Sequence, residues 1–145
     1  MADTVETAPR CPETGAAMYR DTRPMTITYK GESAQVDMPG WYCDESDESI
    51  HDGADMKVSD RALTELKAKV EGRLAPKAVR RIRKRLKLTQ KDAGRLIGGG
   101  PNAFQKYESG DILVSHAVTS ALLLLDRDPS GLEVLQKKDQ ATHAA

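Results

Sequence analysis

Residues 88–110, Leu-Thr-Gln-Lys-Asp-Ala-Gly-Arg-Leu-Ile-Gly-Gly-Gly-Pro-Asn-Ala-Phe-Gln-Lys-Tyr-Glu-Ser-Gly, constrain the fold more than any other stretch. Three consecutive glycines are costly in chain entropy, and they mark a turn whose geometry is needed. The residues on either side predict two short helices, so the segment reads as a helix-turn-helix. Thr89 is placed to cap the first helix by accepting a backbone N–H, and Asp92 adds a carboxylate where the helix dipole is positive. Gly98 is expected to end that helix, and Gly100 and Pro101 to restart the chain as N-cap and first helical residue. Phe104 and Tyr107, three apart, form an apolar back and leave Asn102, Gln105 and Lys106 on the front. Such a front suits the major groove, because Asn and Gln bond adenine edges bidentately and Lys reaches guanine or phosphate. Gly94 sits where the first helix would press on the second, so its missing side chain permits a close crossing.

The charge distribution supports a nucleic-acid partner. Over 145 residues the formal net charge is zero, yet residues 1–56 carry 12 Asp and Glu against 4 Lys and Arg, whereas residues 57–145 carry 18 Lys and Arg against 10 Asp and Glu. An asymmetry of this size implies a basic nucleic-acid face and an acidic part that binds a partner or shields the chain. The run from Arg73 to Lys91 holds nine basic residues and no acidic one. Within it Pro76 is expected near the start of a helix with Val79, Ile82 and Leu86 inward, so that the cations mostly face water or phosphate. No stretch approaches the length of a membrane span and Met1–Arg10 lacks the features of a signal peptide, which implies a cytoplasmic protein with no membrane partner. Cys11 and Cys43 are expected as thiols there.

Elsewhere the pattern predicts a flexible lead at residues 1–10 and a β-hairpin. Met25, Ile27 and Tyr29 alternate with polar residues, Gly31 and Glu32 turn the chain, and Ala34, Val36 and Met38 continue it until Pro39 and Gly40. Asp44–Asp55 reads as an acidic loop. Ser59 is expected to cap a connector helix with Leu63, Leu66 and Val70 inward, closed by Gly72. Ser115 is expected to cap a helix with Val118, Ala121, Leu122, Leu124 and Leu125. A last short helix begins at Pro129 or Ser130, and Lys137–Ala145 reads as a frayed tail. His51, His116 and His143 lie in unrelated contexts, and no catalytic constellation, cofactor site or enzymatic activity is expected.

The helix-turn-helix resembles that of the Xre/Cro-repressor class. The run Gly98-Gly99-Gly100-Pro101-Asn102-Ala103-Phe104 followed by Tyr107-Glu108 is similar to the MqsA-type antitoxins of bacterial type II toxin-antitoxin systems. Cys11-Pro12, Thr28-Tyr29-Lys30-Gly31 and Tyr42-Cys43 extend the resemblance through the N-terminal part. It implies a small zinc-bound β domain that masks a toxin, usually an mRNA-cleaving ribonuclease, and a C-terminal helical domain that dimerises and represses its own operon. It also implies that residues at the places of Asn102 and Lys106 read bases. The zinc pattern of that family pairs Cys-x-x-Cys with a second Cys-x-x-Cys, and here Thr14 and Ser46 stand in the second place of each pair. A neutral hydroxyl is a poor substitute for a thiolate. Two thiolates would need two more ligands, nominally from His51, Glu13, Asp44 and Glu45. No metal is therefore expected, and the cysteines are expected as small buried apolar residues.

Together these features imply an α+β chain. The expected organisation is a lead at 1–10, a small β-hairpin domain of degenerate zinc-binding type at 11–56, a connector helix at 57–73, a five-helix Xre-type domain at 74–138 and a tail at 139–145. The implied function is an antitoxin that binds a cognate toxin and, as a homodimer, a palindromic operator on double-stranded DNA. Asn102, Gln105, Lys106, Lys87, Thr89 and Gln90 are the expected DNA contacts. The alternative is a stand-alone transcriptional regulator of the same fold with a degenerate N-terminal domain.

Overall fold

The computed structural model describes residues 8–143. The order of elements is α+β, with a three-stranded antiparallel sheet followed by six helices. Of the lead expected at residues 1–10, Met1–Thr7 lie outside the described residues, and Arg10 pairs with Ala17 in a β-bridge.

The hairpin joins β1 (Tyr19–Tyr29) to β2 (Glu32–Tyr42) through Lys30 and Gly31, both at positive φ. The two-residue turn leaves Glu32 inside β2, opposite Tyr29, so it is not a turn residue as expected. Pro39 does not end the strand either, because it pairs with Thr22. The short strand β3 (Ser49–Ile50) pairs only with Trp41 and Tyr42, which leaves β2 open at Pro39 on a side where a missing N–H is tolerated. β3 lies within the stretch read as an acidic loop.

Helix α1 (Gly53–Glu71) starts six residues before Ser59, the expected cap. Asp52 is the actual N-cap: it accepts from the Asp55 N–H at 2.8 Å, and its own N–H donates to the Asp55 carboxylate at 3.0 Å. This capping box satisfies two helix N-terminal donors at once, which Ser59 could not do from inside the helix. The Ser59 hydroxyl instead donates to the Met56 carbonyl. Gly72 closes α1 in the left-handed conformation, as expected. The helix packs along the hairpin, with Leu66 and Ala68 buried. Asp55 is buried at 3% exposure, held by Arg20 of β1 through bonds of 2.7 and 2.9 Å.

Helices α2 (Pro76–Arg85), α3 (Gln90–Leu96), α4 (Ala103–Ser109), α5 (His116–Arg127) and α6 (Leu132–His143) surround a second core. That core contains Val79, Ile82, Leu86, Ala93, Phe104, Val114, Val118, Leu122 and Leu125. The inward stripe expected for α2 is all buried, and the Ser115 hydroxyl caps α5 by accepting from the Val118 N–H at 3.1 Å. Leu124, expected inward, is 70% exposed, because α5 turns Leu122 and Leu125 to the core. A 3-10 turn at Pro129–Gly131 precedes α6, which runs to His143 through most of the segment read as a frayed tail. Asp139 is the reason its later turns are anchored, for it forms an ion pair with Arg95 of α3. Among the described residues no helix is long and apolar enough to cross a membrane.

Candidate nucleic-acid interface

The α3–α4 region depends on one backbone contact. Thr89 caps α3, its Oγ1 accepting from the Asp92 N–H at 3.0 Å, and Gly98, Gly99 and Gly100 all take positive φ. The Gly100 N–H returns to the Gly94 carbonyl at 3.2 Å. A Cβ on Gly94 would lie 2.8 Å from the Gly100 carbonyl carbon and closer still to its oxygen. Gly94 therefore permits a close approach, as expected, but what approaches is the glycine turn and not the body of α4. Pro101 is not the first helical residue: it sits in a turn closed by the Ala103 N–H on the Gly100 carbonyl at 3.3 Å, and α4 begins at Ala103. Asn102 occupies the N-cap place, yet its side chain makes no capping bond, so its amide is left for other partners.

The back of α4 is fixed by packing and by a buried ion pair. Phe104 is fully buried and meets Tyr107 edge to face at 5.5 Å between ring centres. On α2, the Arg83 guanidinium grips both carboxylate oxygens of Glu108 at 2.8 Å and also donates to the Leu88 carbonyl at 2.9 Å. One side chain thus sets α4 and the α2–α3 corner together, with the side chains of Arg83 and Glu108 only 12% and 6% exposed. Lys87, at that corner, holds a left-handed φ of +59°.

The basic segment divides in two. Arg83 pairs with Glu108, and Arg81 and Arg85 share the single carboxylate of Asp126 while staying 60% and 53% exposed, so all three cations have acidic partners distant in sequence. Lys77, Arg80, Lys84, Lys87 and Lys91 stay exposed. Asn102, Gln105 and Lys106 are exposed on one side of α4. Gln90 and Gln105 line the same groove, together with Arg80, whereas Lys87 borders a separate groove between α3 and α6. Arg80 was not singled out by sequence, since nothing in a uniformly basic helix distinguishes it from its neighbours.

Within the sheet unit, Cys11 and Cys43 are each 2% exposed and pack with Met18, Ala16, Trp41 and Ile50. Cys11 Sγ lies 3.2 Å from Ser46 Oγ, and Cys43 Sγ lies 3.8 Å from Thr14 Oγ1. Hydrogen bonds from Ser46 and then Thr14 bring the Cys11 thiol down to about 7. Among the described residues no group of three or more His, Cys, Asp or Glu converges on one point. His51 is engaged by the Pro39 carbonyl and the Ser49 hydroxyl, and Asp44 accepts from the Tyr19 hydroxyl, so neither supplements the thiols. Two thiols and two hydroxyls do not fit tetrahedral zinc, which takes thiolate, imidazole or carboxylate donors.

Residues 9–136 match the family described as the antitoxin component of bacterial toxin-antitoxin system, MqsA. The chain is 29% identical over 121 residues to Antitoxin MqsA of Escherichia coli (strain K12), covering 82% of this chain and 92% of that one. With a family match from the first bridge of the sheet unit into the last helix, the chain belongs to the MqsA antitoxin family.

Proposed function

We propose that the chain is a type II antitoxin that neutralises a partner toxin, an mRNA-cleaving ribonuclease, through residues 11–56. In this reading residues 74–138 form an Xre/Cro-like helix-turn-helix domain, which as a homodimer represses the operon from a palindromic site on double-stranded DNA. Residues 57–73 connect the two parts, and the protein acts in the cytoplasm. The observation that carries the proposal is an exposed amide-and-cation edge, Asn102, Gln105 and Lys106, on a helix whose opposite side is fixed by Phe104 and by the Arg83–Glu108 pair.

Rigid backing matters because base readout depends on a side chain meeting a base edge in one geometry. Asn102 has an uncommitted amide at the start of α4, the end of a recognition helix that enters the groove first. Lys106 supplies charge without the planar fork of arginine, so it contributes more to phosphate than to guanine contact. Lys87, Thr89 and Gln90 hold the backbone, Lys87 as a cation and the other two as neutral donors beside the N–H groups of α3. Leu123, Leu124 and Val134, all exposed, supply an apolar face for the second copy.

The test compares wild type with Asn102→Ala on operator and scrambled duplexes at one salt concentration. A lost base contact costs roughly 1 to 3 kcal/mol on the operator and almost nothing on random DNA. The footprint is expected to be two-fold symmetric, with half-sites about one helical turn apart. Equal losses on both duplexes would refute base reading by Asn102.

A further inference from the structure

Thr14, Cys43 and Ser46 share one backbone signature. The N–H two residues further on donates to each head: Ala16 to Thr14 Oγ1 at 3.2 Å, Glu45 to Cys43 Sγ at 3.4 Å and Glu48 to Ser46 Oγ at 3.2 Å. The turns at 11–14 and 43–46 bring these heads together in pairs, Cys11 with Ser46 and Cys43 with Thr14. Each thiol and each hydroxyl can both donate and accept, so each pair is satisfied by its own members with no cation between them. Zinc requires the opposite, deprotonated donors at about 2.0 to 2.3 Å around a dication.

We infer that these two thiol–hydroxyl pairs form a metal-free cross-link: they tie the 11–14 turn to the 43–46 turn, let the sheet unit keep its shape without zinc, and exclude the ion through only two side chains, Thr14 and Ser46. The cysteines are buried, and the hydroxyls meet them from the more exposed side. Because a metal that binds only the folded state adds its binding free energy to stability, a unit without one is insensitive to chelators. Because the two pairs face each other across the turns, the unit is two substitutions away from four thiols at these positions.

The experiment uses the full chain and Co2+ as the metal probe, since thiolate-bound tetrahedral Co2+ absorbs visibly. Wild type purified without chelator is expected to hold no stoichiometric zinc, to melt at the same temperature with and without EDTA, and to show no Co2+ absorption. Thr14→Cys/Ser46→Cys is expected to take up one Co2+ per chain with tetrahedral-thiolate bands and to melt higher with metal than without. Stoichiometric zinc in wild type, lost in Cys11→Ser, overturns the inference. So does a double variant with native circular dichroism that takes up no metal, because the four positions then fail to converge. If the double variant folds neither alone nor on refolding with Co2+, the single variant Ser46→Ala decides: a lower melting temperature in metal-free buffer supports the cross-link, and an unchanged one overturns it.

Discussion

Gly94→Ala sets two physical effects of opposite sign against each other. Gly94 lies inside α3, where alanine is favoured over glycine by up to about 1 kcal/mol. Its new Cβ would stand 2.8 Å from the Gly100 carbonyl carbon, whereas unstrained carbon atoms meet at about 3.5 to 4.0 Å. The carbonyl carbon alone must therefore retreat by roughly 0.7 to 1.2 Å, its closer oxygen sets a larger shift, and backbone cannot rotate aside as a side-chain tip can. Overpacking of this kind costs about 1 to 3 kcal/mol. The retreat also weakens the Gly100 N–H bond to the Gly94 carbonyl, a further 0.5 to 1.5 kcal/mol or so. The net expectation is a loss of about 0.5 to 3.5 kcal/mol, with the melting temperature falling about 2 to 4 °C per kcal/mol at this chain length. Because the turn sets where α4 starts, operator affinity should fall more than affinity for random DNA. Circular dichroism melts and duplex titrations read both quantities. Gly53→Ala is the internal control, since nothing lies within 4 Å of its added Cβ. A Gly94→Ala chain as stable as wild type, or more so, would show that helix propensity wins and that the close α3–turn contact does not govern this region.

Lys87→Ala should weaken binding to all DNA sequences alike and lower the salt slope by about one, as expected for a lost phosphate cation; an altered base preference at unchanged slope refutes that role. Breaking the Arg83–Glu108 pair on one side, by Glu108→Gln or Arg83→Met, leaves an uncompensated buried group and should cost roughly 3 to 5 kcal/mol in urea unfolding. The double variant Arg83→Met/Glu108→Leu should cost clearly less than the sum, and simple additivity would show that the two side chains are not coupled. The Arg20 guanidinium, and after it the Asp52 N–H, hold the Asp55 carboxyl well below the usual carboxylate range. Since its folded value lies below the unfolded value near ~3.9, the stabilisation is complete above that pH and is lost as pH falls through and below it. Asp55→Asn should thus melt lower than wild type near neutrality and show a flatter decline under acid, and parallel acid profiles for the two proteins would contradict the assignment.

Sequence alone determined the local elements. The three glycines announced a turn because no other residue takes those angles cheaply, and Thr89 and Ser115 announced helix starts because their hydroxyls accept the N–H groups that follow. The 3.6-residue stripe of Val79, Ile82 and Leu86, and the alternation of Met25, Ile27 and Tyr29, were legible for the same local reason. The pairing of Cys11 with Thr14 and of Cys43 with Ser46 was likewise visible as a broken spacing. Only the tertiary structure decided which cations have acidic partners, because Glu108 and Asp126 are remote in sequence from the arginines they pair with. It also moved the start of α1 to Asp52, whose box partner Asp55 is stabilised there by Arg20 from another element. It kept Pro39 in a strand beyond the reach of the β3 pairing, brought Arg80 beside Gln90 and Gln105, and joined two thiols to two hydroxyls across the turns. Backbone preference acts over a few neighbouring residues and can be read from them, whereas charge pairing and burial depend on which distant surfaces meet, and that is settled only when the chain packs.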